Sequence, residues 1–427
     1  MLFHFCLYGF LKNQQYYDPF LILAFREKGL SFAMIGLLIG FREICINILE
    51  IPTGAIADAS GRRRSMIFSF LAYIVAFLIF GFSSHLWMLF TAMFFFSIGE
   101  AFRTGTHKAI IFDWLNREGR NREKNRIYCY TCPWSKLGSA VSVIIAAILI
   151  FTLKKYSYIF FFSIIPYAAN IVNFLMYPAC LDGPKKESLS ASTIMGTLWM
   201  TFCDSIRNRS LRRLFVESMS FEGCHKVCKD YLQPLLKTTA LALPVFLGIS
   251  GRQRTAILIG AVYLILYLLS SFAARHADAL VKRAGSEERG AKQLWIMNVT
   301  IFGVLFAGIL IGFSTVAIFA FIALTVIQNF WRPILISRVA SESDNANMAT
   351  VLSIESQTKT FFAAIAAPLL GLVVDLMPKI SATISRLINV DAGILPDWRF
   401  LPIALLGLVA GVIMLATSRS SQQIHDN

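Results

Sequence analysis

The sequence predicts an all-α integral membrane protein, with twelve transmembrane helices arranged as two pseudo-symmetric six-helix bundles. Three observations carry that prediction. Of 427 residues, 56% are hydrophobic and only 15% charged, with a mean hydropathy of +0.62, a balance foreign to soluble domains. About twelve apolar stretches recur along the chain, each long enough for a hydrocarbon core that takes about 20 helical residues to cross. A polar, basic interval divides them into an N-terminal bundle at 1–178, a cytoplasmic linker at 179–213 and a C-terminal bundle at 214–427.

The formal charge of +15 raises the question of nucleic acid, and its distribution answers it. In a twelve-span layout with both termini cytoplasmic, about 21 of the 40 Lys and Arg residues fall in cytoplasmic loops and about 9 in external ones. The excess is mainly a topology signal, so no nucleic-acid partner is expected. The chain enters its first apolar run without a basic n-region or a small-residue cleavage site, so no removable signal peptide is expected. Eight cysteines form no disulfide pattern, and Cys129-x-x-Cys132 lacks a second ligand pair, so they read as small buried residues. Neither a metal site nor a cofactor is expected.

The first span, from about Leu2 to Phe25, is polar in its middle, with Asn13 through Asp18 ahead of Pro19. In a continuous helix Gln14, Tyr17 and Asp18 share one face, which must look into a cavity rather than at lipid. The second span, about Phe32 to Ala57, carries Glu43, Asn47, Glu50, Gly54 and Asp58 at helical spacing as one inward stripe. The third, about Ser65 to Phe82, is almost free of charge and reads as lipid-facing. The fourth, about Leu86 to Leu115, is its opposite, with Glu100, Arg103, Thr104 and His107 on one face and Lys108 beside them.

The fifth span contains Trp134, Ser135, Lys136 and Gly138, and the sixth ends near Pro178. Within the linker, Leu189 to Ile206 is amphipathic enough to lie at the cytoplasmic interface. The seventh span, about Leu214 to Leu236, holds Glu217, Glu222, His225, Lys226, Lys229 and Asp230. The eighth ends near Ala274. The ninth and tenth occupy about Gln293 to Ile336, with Gln328, Asn329, Trp331 and Arg332 towards one end. The eleventh holds Glu355, Gln357 and Lys359, and closes with Pro368, Gly371 and Asp375. The twelfth is about Phe400 to Thr417.

Between the second and third spans the chain reads Gly54-Ala55-Ile56-Ala57-Asp58-Ala59-Ser60-Gly61-Arg62-Arg63-Arg64. Gly54 suits a close helix approach, Gly61 suits a turn with positive φ, and Asp58 lies where a guanidinium can reach it. These residues fill every fixed position of G-x-x-x-D-x-x-G-R-K/R, and here the chain resembles the major facilitator superfamily, bacterial type. Asn347 to Gln357 is similar to that family's entry into the eleventh helix, with Met348 where an arginine is usual. Ser271 to Asp278 reads as a degenerate second copy of the first motif.

The resemblance implies a functional monomer in a bacterial cytoplasmic (inner) membrane, two bundles rocking about a midplane site, and a small-molecule solute driven across the bilayer by protons. It assigns Gly54, Asp58, Gly61, Arg62 and Arg63 to a gating latch. The substrate or proton pathway is expected among Gln14, Tyr17, Asp18, Glu43, Asn47 and Glu50 on the first two spans. Glu100, Arg103, His107 and Lys136 extend it through the fourth and fifth, and Glu222, His225, Lys226, Gln328 and Gln357 continue it in the second half. Glu100 and Glu222 are the first choices for a proton carrier, because burial and a nearby cation pull a carboxyl pKa in opposite directions. His107 and His225 are either relays or hydrogen-bonded walls. Glu100 with Arg103 and Glu355 with Lys359 have the spacing to neutralise one another within a helix. Lys12 and Arg399 lie near helix ends and can snorkel.

Other readings stay open: an efflux antiporter of drugs or metabolites, a non-transporting sensor, or a lipid flippase of the same fold. The drug-antiporter pattern G-x-x-x-G-P is missing between Trp134 and Val141, and no nucleotide-binding G-x-x-x-x-G-K-S/T occurs. No catalytic set is recognisable, so an enzyme is not expected.

Overall fold

The computed structural model describes residues 1–120, 123–182, 196, 200, 203–244, 248–276, 279, 282–283, 285–343, 348–387 and 398–425. Of these, the backbone alone is described at 51, 55, 58, 124–126, 128–129, 132, 179, 349, 384–387 and 417–425. The Asp58 side chain, the Cys129 and Cys132 thiols and, within the expected Leu189–Ile206 helix, residues 189–195, 197–199 and 201–202 therefore lie outside the described residues. Ten helices among the described residues are long and apolar enough to cross a membrane. The expected first and seventh spans do not reach that standard as single helices, and both are interrupted.

The first span is helical over Leu2–Lys12 (α1), turns through residues 13–17, and resumes as a 3-10 turn at Asp18–Phe20 followed by Leu21–Glu27 (α2). Pro19 supplies the cause, since its ring lacks an N–H and crowds the carbonyl four residues back. The shared face expected for Gln14, Tyr17 and Asp18 therefore does not form. The seventh span is longer than expected and changes pitch. It runs as helix Arg209–Ser218 (α9), a π turn Met219–Gly223, helix Cys224–Cys228 (α10), a 3-10 turn Lys229–Tyr231 and helix Leu232–Ala242 (α11). The fourth also splits, into Leu86–Arg103 (α5) and Thr106–Arg117 (α6), with Gly105 at φ +76° between them. A side chain in that region costs about 1–2 kcal/mol, which makes Gly105 the natural break point.

The remaining long helices are Phe32–Ser60 (α3), Arg62–Phe82 (α4), Lys124–Leu153 (α7), Tyr158–Leu175 (α8), Gly251–Arg275 (α12), Glu287–Ile311 (α13), Ser314–Ser341 (α14), Met348–Leu387 (α15) and Leu401–His425 (α16). By contact the chain divides into two compact units. The first comprises Met1–Gly29, Phe41–Gly196 and Phe246–Tyr267, and the second Leu30–Gly40, Thr197–Val245 and Leu268–Asn427.

In the first unit, α4 is not the lipid-facing span its composition suggests. Met66, Phe70, Tyr73, Phe77 and Phe80 are buried while Phe68, Leu71 and Phe82 are exposed. A helix that is apolar all round can turn any face inward, so its sequence did not mark the packed side. The buried face meets edge-on and tilted aromatics, with Tyr73 at 4.9 Å from both Phe96 and Tyr167. α1 approaches α7 at small residues: a Cβ added to Gly138 would lie 2.5 Å from the Phe10 carbonyl, and one on Gly9 would lie 3.0 Å from Ser135 Oγ. Such seams hold helices in lipid, where apolar transfer gives no net drive.

The second unit uses the same device where Cβ atoms on Gly36 and Gly40 would collide with the backbone of Ala367 and Ala364. Its core holds Phe221 stacked on Trp331 at 4.2 Å, with Trp295 edge-on to Phe221 at 5.0 Å.

Candidate functional site

In the first unit the breaks in the first and fourth spans border one cavity of about 480 Å³. Lys12 is the last residue of α1, and Gly105 and Thr104 sit at the α5–α6 break. The Gly9–Ser135 and Gly138–Phe10 contacts bring α7 alongside, so that Ser135 and Lys136 complete the wall. Lys12 was expected to snorkel from a helix end. The turn after it leaves that end within the chain's fold, and its Nζ instead lies 5.7 Å from the centre of the Tyr8 ring, on the cavity wall.

Glu100 and Arg103 form the ion pair that their spacing predicts, and Tyr73 donates its hydroxyl to the other oxygen of the Glu100 carboxylate. Arg103 Nε reaches back to the Tyr73 oxygen at 3.3 Å. The result is a closed triad of carboxylate, phenol and guanidinium. Tyr73 escaped the sequence reading because it lies on α4, a helix with no polar stripe. His107, on the first turn of α6, stacks against Tyr8 at 3.8 Å, and its Nε2 is buried with no hydrogen-bond partner among the described residues.

The lining is thus strongly basic. Lys12, Arg103, Lys108 and Lys136 border the cavity, and Glu100 is the one carboxylate among the described lining residues. A lone Lys or Arg at the centre of a lipid-facing helix costs about 2.5–3.5 kcal/mol, so this grouping requires a wet or occupied cavity. Gly105 caps α6 without a side-chain hydrogen bond, so the first N–H groups of that helix carry its positive end towards the same space.

The other expected pathway residues of this unit are placed differently. Gln14 is 2% exposed and donates to the Gly138 carbonyl at 3.0 Å, and Tyr17 is buried against Phe77 at 5.3 Å. Both serve the packing of the broken first span rather than the cavity wall. Asp18 accepts a hydrogen bond from the Tyr267 hydroxyl at 3.0 Å. Glu43 is buried with the Arg42 guanidinium at 2.8 Å, and Asn47 and Glu50 are half-buried farther along α3. At Gly54 the expected close helix approach is not found among the described residues: the residue is exposed and an added Cβ meets none of them within 4 Å.

Gly61 does take positive φ, at +104°. Arg62 and Arg63 begin α4, where the Arg63 N–H donates to Asp182 Oδ1 at 3.2 Å and its Nη2 reaches the Leu175 carbonyl at 3.3 Å. That carboxylate comes from the start of the expected linker and had not been linked to the motif.

The second unit holds a charged cluster on the π turn, α14 and α15. Arg332 Nη1 lies 3.2 Å from Glu222 and 2.8 Å from Glu355, and Lys359 Nζ lies 2.7 Å from Glu222 and 3.5 Å from Glu355. Ser218 donates to Glu355, which is fully buried. Two carboxylates meet two cations, so the charge is internally balanced. Gln328 donates to the Phe221 carbonyl at 3.1 Å, bracing the π turn, while His225, Lys226 and Gln357 are half-buried nearby in sequence. A second network joins Arg338 to Glu217 at 2.6 Å and to Glu288 at 2.9 Å. The sequence marks Arg332 but not its partners, and it does not mark Arg338 at all, because the partners of both come from other helices.

No curated protein sequence matches the chain significantly. Among solved structures it resembles the nucleoside transporter NupG in a D323A form, at 14% identity, 97% coverage of each chain and a TM-score of 0.73. It also resembles a peptide transporter POT in complex with sulfate, at 13% identity, 98% and 94% coverage and a TM-score of 0.68. A bacterial homolog of the human lysosomal transporter Spinster, inward-facing and unoccupied, matches at 13% identity, 98% and 96% coverage and a TM-score of 0.69. At these identities the likeness is one of fold. The sequence profile of the Major Facilitator Superfamily matches residues 3–368, most of the chain, and the chain belongs to that superfamily.

Proposed function

We propose that this protein is a secondary active transporter that carries a small polar or charged solute across the bilayer by alternating access, coupled to protons. The observation that carries the reading is the basic cavity at the breaks of the first and fourth spans, with a carboxylate, Glu100, already paired to one of its cations. Broken spans are where a transporter can offer backbone groups and side chains to a solute within the membrane.

The triad suggests how coupling works. While Glu100 is ionised, Arg103 is engaged with it. A proton taken up by Glu100 weakens that pairing and releases the guanidinium to the solute, and loss of the proton restores the pair and expels the solute. Tyr73, bonded to both partners, holds the geometry through the exchange. Glu222 answers two cations and shares them with Glu355, which makes Glu100 the better carrier.

The reading places the chain in a bacterial cytoplasmic membrane with both termini inside, working as a monomer and without nucleic acid. The division into bundles at 1–178 and 214–427, joined by a linker at 179–213, is part of the same proposal, as is a latch role for Gly54, Asp58, Gly61, Arg62 and Arg63. The test is an untargeted comparison of metabolites inside and outside cells expressing the chain, its Asp58→Asn variant or neither, with and without a proton uncoupler. A solute displaced by the active chain alone, and sensitive to the uncoupler, is expected. Identical metabolite profiles across the three strains would refute transport.

A further inference from the structure

We propose that the solute is an organic oxyanion, bound by its carboxylate or phosphate in the first-unit cavity at the start of α6. The assignment rests on the transport reading and narrows it to one class of cargo.

Four features of one small volume converge on negative charge. The lining carries Lys12, Arg103, Lys108 and Lys136 against Glu100, the one carboxylate among the described lining residues. Arg103 spends Nη2 on Glu100 and Nε on Tyr73, which leaves Nη1 for a ligand. α6 is twelve residues long, opens on the wall of the cavity and has no side-chain cap, so the positive end of the helix faces that space. Beside them, His107 keeps a buried Nε2 with no partner among the described residues. Guanidinium, ammonium, imidazole and helix N-terminus thus surround the same space, and an oxyanion answers all of them.

The walls also argue for an organic body. Phe5 and Tyr8 border the cavity, and the volume of about 480 Å³ falls within the range of small-molecule sites. A cationic solute would meet repulsion from the lining, and Glu100, the one acidic residue among the described lining, is already paired with Arg103. A dipeptide zwitterion fails for its ammonium end, and an uncharged nucleoside brings no negative charge to the basic lining.

The purified full-length protein, in detergent at fixed ionic strength, is titrated with benzoate, succinate and phenyl phosphate, and separately with benzamide, benzamidine, uridine and dialanine. Thermal unfolding is the readout. Anions that stabilise all proteins by exclusion act equally on wild type and variants, so the decisive quantity is the difference from Lys136→Gln and Lys12→Gln. At least one oxyanion is expected to raise the midpoint saturably, with its apparent affinity weakened fivefold or more in each variant, while the neutral and cationic compounds do nothing. Lys136 is exposed, so its variant keeps the fold. The proposal is overturned if uridine, dialanine or benzamidine binds as well as the anions, if the variants bind the anions unchanged, or if no anion binds. A solute moved by cells but found to be neutral or cationic would also overturn it while leaving transport intact. Anion binding with no solute moved would keep the site and remove the transport reading.

Discussion

The carboxylate of Asp375 caps the helix that begins at Phe32: Oδ2 accepts the Ala33 N–H at 2.8 Å, and Oδ1 accepts that of Phe32 at 3.1 Å. The residues are more than 340 positions apart, yet the contact does what a local Ser or Asp does at an ordinary helix start. Asp375→Ala is expected to lower stability by about 1–2 kcal/mol, because two part-buried donors lose their acceptor. Asp375→Asn, which keeps one acceptor oxygen, is expected to lose about half as much. Thermal unfolding in detergent measures both, and equal stability of the Ala variant would show the cap to be energetically idle.

Close packing beside that cap is equally testable. A Cβ at Gly371 would overlap the Phe32 carbonyl, a backbone atom with no rotamer to yield. Gly371→Ala is therefore expected to cost about 1–3 kcal/mol. Gly54→Ala, at an exposed site with no described residue within 4 Å, is expected to be neutral or slightly stabilising through helix propensity. The pair of midpoints checks the contrast.

Gly105 sets the break in the fourth span. Gly105→Ala places a Cβ at φ +76°, with an expected loss of about 1–2 kcal/mol or a local return to continuous helix. Either result moves the first turn of α6 relative to Arg103. Solute uptake is expected to fall at least tenfold while surface expression stays within a factor of two.

Glu100→Gln removes the ionised member of the triad. It is expected to abolish uncoupler-sensitive accumulation but to keep solute exchange down a concentration gradient. Tyr73→Phe retains the ion pair and loses one hydrogen bond, so it is expected to slow transport without uncoupling it. Counterflow in proteoliposomes separates these outcomes, and proton-driven accumulation by the Gln variant would assign coupling elsewhere.

Arg332→Gln leaves Glu222 and buried Glu355 with Lys359 alone between them. The expected cost is about 3 kcal/mol, the lower end for breaking a buried pair, because Arg332 retains some solvent contact. The double variant Arg332→Gln with Glu222→Gln is expected to recover part of that loss. A double-mutant cycle gives the coupling directly, and strict additivity would mean that the two residues act independently.

Interactions between near neighbours were readable from the sequence. The Glu100–Arg103 and Glu355–Lys359 pairs follow from spacing along one helix, and the positive φ of Gly61 follows from a turn that only glycine makes easily. Pro19 and Gly105 also announced their breaks, but long apolar flanks outweighed them in a reading based on span length. What could not be read was pairing across the fold. Asp182 at Arg63, Asp375 at Ala33 and Arg332 between Glu222 and Glu355 depend on which helices become neighbours, and periodicity along one chain says nothing of that. Tyr73 was hidden for the same reason: its partners lie on α5, and its own helix looks uniformly apolar.

The start of α6 has a consequence for how this protein changes over generations. Its leading donors at Thr106, His107 and Lys108 are peptide N–H groups, which no codon change short of proline can delete. If the cavity holds an oxyanion as proposed, this part of its binding surface is inherited with the fold itself. Phe5 and Tyr8, by contrast, are ordinary side chains, free to drift in size and shape. Divergence among descendants of this chain is then expected to re-tailor the body of the cargo far more readily than its charge.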